Sequence, residues 1–141
     1  MAITSEATTV WRGELFSGSG EVSLDSSNAA HFGVDWRARS EGEAGVTTPE
    51  ELIGAAHSAC FAMAFSNILA GHGTPPENIQ VTAAVTFDAA QGITGSHLLV
   101  NASVPGLEES EFQKLADEAK RTCPVSRALA GIPITIEAEL N

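Results

Sequence analysis

The sequence predicts an α+β fold with the element order βββ–α–ββ–αα–β in one domain spanning residues 1–141. Three observations predict it. Six segments alternate apolar and polar residues with the period of a half-buried strand. One continuous apolar run follows a helix-start signal. A later stretch places apolar residues at helical spacing on an otherwise charged background.

Residues 8–16 alternate loosely around Val10 and Leu15, and Gly18-Ser19-Gly20 marks a turn. A second strand is expected over 21–25, around Val22 and Leu24. A third is expected where Phe32, Val34 and Trp36 alternate with Gly33, Asp35 and Arg37. These three read as an antiparallel meander, and 41–46 reads as a loop rich in Gly and Glu.

Thr48-Pro49-Glu50-Glu51 is the clearest local signal. It combines a Thr N-cap, Pro at the first helical position and Glu at the third, which is a capping box. The helix should run to about Ala70, where Gly71-His72-Gly73 and Pro75-Pro76 stop it. Leu52, Ile53, Ala55, Ala56, Ala59, Cys60, Phe61, Met63, Ala64, Phe65, Ile68 and Leu69 cannot share one face. A helix apolar all round is expected to be buried all round. A small domain can hardly enclose a helix of roughly 30 Å alone. An intertwined homodimer, with antiparallel sheets around two long central helices, is the expected solution.

Val81, Ala83, Val85 and Phe87 alternate within 79–87, and 97–104 alternates again, with 91–95 expected to connect them. Phe112, Leu115, Ala116 and Ala119 give residues 108–121 an amphipathic helix. Cys123-Pro124 breaks it, a short helix is expected over 124–130, and Ile132, Ile134, Ile136 and Ala138 form a last strand.

Seven Lys and Arg stand against 18 Asp and Glu, for a net charge of −11. The cations form no patch, so neither nucleic acid nor an anionic membrane surface is an expected partner. Residues 1–10 are polar and lack the form of an export signal, which predicts a cytoplasmic protein. The central apolar run is mostly alanine with His57, Ser58, Ser66 and Asn67, and reads as a core helix rather than a membrane span. Two cysteines are too few for a four-thiolate zinc site, and in a reducing compartment a stable structural disulfide is not expected. No metal and no cofactor are expected.

Cys60 lies in the middle of the apolar helix. Alone it reads as a small core hydrophobe. Desolvation would raise its pKa, so reactivity would require a cation aimed at it. Cys123 sits at the N-cap of a short helix, where free N–H groups favour a thiolate. Local physics therefore makes Cys123 the more acidic thiol. His57, one turn before Cys60, reads as a hydrogen-bonded core histidine rather than the base of a Cys–His pair. His31, His72 and His97 have no metal-ligand spacing.

The run from Thr48-Pro49-Glu50-Glu51-Leu52-Ile53-Gly54-Ala55-Ala56-His57-Ser58-Ala59-Cys60-Phe61 resembles the first-cysteine motif of the OsmC/Ohr family. Cys123-Pro124-Val125-Ser126 resembles the second-cysteine motif. Arg39-Ser40-Glu41-Gly42-Glu43 and Trp11-Arg12-Gly13 resemble two further blocks, in family order. The resemblance spans most of the chain and points to the OsmC branch. It implies a thiol peroxidase that reduces organic hydroperoxides in oxidative and osmotic stress defence. It implies that Cys60 is peroxidatic and Cys123 resolving, the reverse of the local ranking.

The resemblance also supplies an arginine held by a glutamate to activate the buried thiol. Glu50 matches that glutamate. It lies about 15 Å of helical rise from Cys60, so it would act through the arginine. On its own Glu50 reads as a carboxylate that favours the helix dipole. Arg39 matches the arginine, with Arg37 as runner-up. The chain departs from many members by carrying Ser17 before the first glycine turn. The implied cycle passes through a Cys60 sulfenate and a Cys60–Cys123 disulfide, which an external dithiol, lipoyl-type among the candidates, reduces. Phe61, Met63 and Phe65 are expected to make the surroundings of Cys60 suit an alkyl group. A small-ligand-binding or stress-interaction protein with packing cysteines is the alternative from another class. A metal-binding module and a cysteine hydrolase stand behind it.

Overall fold

In the computed structural model, which describes Met1–Asn141, three N-terminal strands pair as an antiparallel meander: β1 (Ala7–Arg12), β2 (Ser19–Leu24) and β3 (His31–Val34). Trp11 faces Gly20 across the first pair and Val22 faces Phe32 across the second. Gly20 is required there, because a Cβ would stand 2.8 Å from the Trp11 ring.

The third strand is shorter than its alternation predicts. It ends at Val34, and helix α1 (Trp36–Glu41) follows. Asp35 is the reason. Its backbone is extended and its carboxylate accepts from the Ala38 N–H at 2.7 Å, so it caps the helix instead of continuing the strand. Gly42, with φ of 84°, closes the other end in a conformation few side chains tolerate. The predicted order therefore gains one helix. These elements belong to a compact unit, Met1–Pro49, which a Val34–Thr47 bridge ties together.

The second unit is Glu50–Asn141. The long helix α2 (Pro49–Gly71) starts where the capping signal places it, with Glu50 and Glu51 in its first turn. Its buried residues, Glu50, Gly54, His57, Phe61, Phe65 and Leu69, are spaced by three and four and form one stripe. The expectation of burial on every side is not met within one chain: Ala55, Ala56 and Ala59 are exposed, and Met63 is 74% exposed. A three-stranded sheet can cover only one side of a helix. By length and composition alone α2 would also qualify as a membrane span, with a mean hydropathy of 1.5.

Strands β4 (Asn78–Asp88) and β5 (Gly92–Ser103) form an antiparallel hairpin. The connection is tighter than predicted. The Asp88 carboxylate accepts from the N–H groups of Ala90 and Gln91 at 2.8 and 2.9 Å, so β5 already begins at Gly92. Helices α3 (Glu109–Thr122) and α4 (Pro124–Ala128) then cross over to β6 (Ile134–Leu140). That strand runs parallel to β5, with Leu98 opposite Ile136. The sheets are thus not wholly antiparallel: the two-helix crossover brings the chain back at the end from which β5 started.

The core of this unit joins the α2 stripe to Leu98, Val100 and Ala102 of β5 and to Phe112, Leu115, Ala116 and Ala119 of α3. Phe65 stands 5.5 Å, centroid to centroid, from both Phe61 and Phe112. Phe61 and Phe65 are therefore core residues, not the pocket lining that the sequence had suggested. Met63 is the only one of the three on the surface.

Candidate active site: two cysteines at the junction of three helices

Cys60 flanks the buried stripe of α2 and is half-buried. Cys123 is the junction residue between α3 and α4 and is fully buried. Its backbone N–H still closes α3 on the Ala119 carbonyl at 2.9 Å, and its carbonyl already accepts from Arg127 of α4 at 3.0 Å. Pro124 makes this break possible, being at home in a first helical turn and unable to continue α3. Both cysteines are free thiols, and their side chains are neighbours inside one chain.

The free N–H of Val125, in the first turn of α4, points at Cys60. The N–H that the local reading gave to Cys123 goes to Cys60 instead. Cys123 occupies the N-cap position, but its side chain makes no cap hydrogen bond, and the donor goes to its neighbour. Burial pushes the Cys60 thiol up, the Val125 N–H draws it down, and the neighbouring Cys123 pushes it up again; the net effect is upward.

His57 is fully buried, one turn before Cys60. Its Nδ1 lies 2.7 Å from Ser96 Oγ on β5, and its Nε2 lies 2.8 Å from Ser126 Oγ on α4. Both serines are buried. Burial pushes the histidine pKa down, so the ring is neutral, with one nitrogen donating and the other accepting. The core-histidine reading of His57 holds. Its partners were missed: Ser96 shares the core face of β5 with Leu98 and Val100, and a serine in that row was the available signal.

Glu50 is 6% exposed in the first turn of α2. No buried polar side-chain atom of the chain lacks a hydrogen-bond partner. Arg39 is half-buried in the last turn of α1, in the first unit. Arg37, the runner-up, is exposed and pairs with Glu41 at 3.7 Å. Arg37 and Arg39 stand two apart on a helix, so their side chains diverge. His97 is not at a strand end. It sits within β5, 2.5 Å from Thr135 Oγ1.

Two free thiols are neighbours on an α+β scaffold, Cys60 half-buried and supplied with a backbone donor, Cys123 fully buried. The family model for OsmC-like protein matches residues 42–137, and the chain belongs to that family. It is 40% identical to peroxiredoxin OsmC of Escherichia coli strain K12, over the whole of this chain and 99% of that one. It is 32% identical to an organic hydroperoxide resistance protein of Xanthomonas axonopodis pv. citri, over 64% of this chain and 65% of that one. The crystal structure of organic hydroperoxide resistance protein OhrB of Bacillus subtilis superposes with a TM-score of 0.68 at 26% identity, covering 99% and 98% of the two chains.

Proposed function

We propose that this chain, a cysteine peroxidase of the OsmC-like family, reduces organic hydroperoxides to alcohols through Cys60 and Cys123. The observation that carries this reading is that the two thiols are neighbours within one chain. In the first step the Cys60 thiolate attacks the distal peroxide oxygen. The O–O bond breaks, Cys60 becomes a sulfenic acid and, with one proton taken up, the alcohol leaves. In the second step Cys123 attacks the Cys60 sulfur and water departs, leaving a disulfide. An external dithiol, for which a lipoyl-type group is our choice, returns both cysteines to thiols and is itself oxidised to a disulfide.

Arg39 is proposed as the cation that offsets the upward push on Cys60, with Glu50 holding its guanidinium. The half-burial of Arg39 against the exposure of Arg37 supports that choice. We propose further that the chain acts as one OsmC-like domain in a cytoplasmic homodimer, and that the exposed apolar face of α2 supplies the contact.

The test is consumption of cumene hydroperoxide with a dithiol reductant, with a mass spectrum after one equivalent of peroxide. Cys60→Ser should abolish turnover, and Cys123→Ser should stop at an oxidised Cys60. Arg39→Ala should slow the first oxidation about tenfold for each pKa unit it had supplied. Full activity in Cys60→Ser would transfer the peroxidatic role to Cys123. No peroxide consumption by wild type would end the peroxidase reading.

A further inference from the structure

His57 takes no part in the steps above, yet it makes two buried hydrogen bonds to separate elements near the cysteine pair. It precedes Cys60 by three residues on α2, and Ser126 follows Cys123 by three. The Nε2 link of 2.8 Å to Ser126 therefore joins the turn of α2 that carries Cys60 to the turn of α4 that follows Cys123. The Val125 N–H on the Cys60 sulfur is a second tie between the same two turns. On the other side of the ring, the Nδ1 link of 2.7 Å to Ser96 anchors the imidazole to β5 and fixes its rotation.

Helix α4 needs such ties. It has five residues, and isolated helices shorter than about 12 residues are marginal in water. Its orientation must come from what it touches. Once Cys60 is a sulfenic acid, the Val125 tie is exposed to change, because the sulfur now carries an oxygen. The His57–Ser126 bond involves no atom that reacts.

We propose that His57 is a positioning residue for disulfide closure: by holding Ser126 it keeps Cys123 in line with Cys60 while the sulfenic acid waits for attack. This rests on the peroxidase reading. The reacting bonds are those of the second step, S–O breaking and S–S forming with loss of water. His57 exchanges no electron or proton in it.

The two serines make the proposal testable, because each accounts for one hydrogen bond of the same ring. Reduced full-length protein, without reductant, receives one equivalent of cumene hydroperoxide. Samples quenched over time, with and without dimedone, are weighed for sulfenic acid and disulfide. Ser126→Ala should lengthen the life of the Cys60 sulfenic acid by up to about a hundredfold, the scale on which lost alignment acts, with the first oxidation unchanged. Ser96→Ala removes an equally buried bond but leaves the tie to α4, and should close its disulfide at the wild-type rate. An amide at the end of a glutamine side chain reaches the Nε2 position and that of asparagine the Nδ1 position. His57→Gln should therefore keep closure, and His57→Asn should lose it as Ser126→Ala does. Equal slowing in both serine variants would reduce His57 to a packing role, and no slowing in Ser126→Ala would also overturn the proposal. If wild type is not oxidised by the peroxide, the peroxidase reading fails instead. Closure of the pair by exchange with oxidised glutathione then reads the same four variants without peroxide, with the same expected ranking.

Discussion

His57 shows at residue scale what full burial does to a titratable side chain. Its pKa is pushed below the ordinary histidine value of 6.5 by desolvation. The unfolded chain therefore binds a proton at a pH where the folded chain does not. The stability this contributes is complete above about pH 6.5 and is lost as pH falls through the depressed folded value. Urea midpoints should fall between pH 7 and pH 5, and His57→Gln should flatten that part of the profile; an unchanged slope in the variant would place the titration elsewhere. Cys60 has the opposite sign for its chemistry. Its thiol is pushed up, so without the proposed cation its oxidation rate should keep rising with pH past neutrality.

At the scale of the element, the close contact of α2 with β4 rests on a missing side chain. A Cβ at Gly54 would stand 2.9 Å from the Ala83 carbonyl oxygen, a backbone atom that cannot swing away. Alanine normally favours a helix interior over glycine by about 1 kcal/mol. Here forced separation should cost about 1–3 kcal/mol, so Gly54→Ala should lower the urea midpoint rather than raise it. A raised midpoint would mean that helix and strand can part freely. Elements were legible in the sequence where periodicity and a local signal agreed, as at Thr48-Pro49 for α2 or Phe112 and Leu115 for α3. They were misread where a single side chain decided. Asp35 sits in phase with a strand but spends its carboxylate on the Ala38 N–H. Asp88 likewise starts a turn that alternation hides.

For the whole molecule, the unmet burial of α2 is the consequential feature. Apolar residues exposed in a contiguous face mark an interaction surface, and Met63 with Ala55, Ala56 and Ala59 forms such a face along one helix. Static light scattering should give a mass near twice the 14.6 kDa of the chain. Met63→Glu should shift that mass toward the monomer, because a dry interface charges several kcal/mol for an unpaired carboxylate. A single-chain mass for wild type at micromolar concentration would sink the homodimer.

The sequence by itself determined the strand and helix periods, the start of α2, the two cysteines and their family motifs, because each of these is written in local residue order. Only the tertiary structure decided that the cysteines are neighbours, that the Val125 N–H serves Cys60 rather than Cys123, that β6 lies parallel to β5, and that His57 ties Ser96 to Ser126. Those facts depend on where a crossover returns the chain and on which groups remain unpaired when the core closes. Contacts between residues 39 and 69 positions apart leave no periodic trace in the sequence.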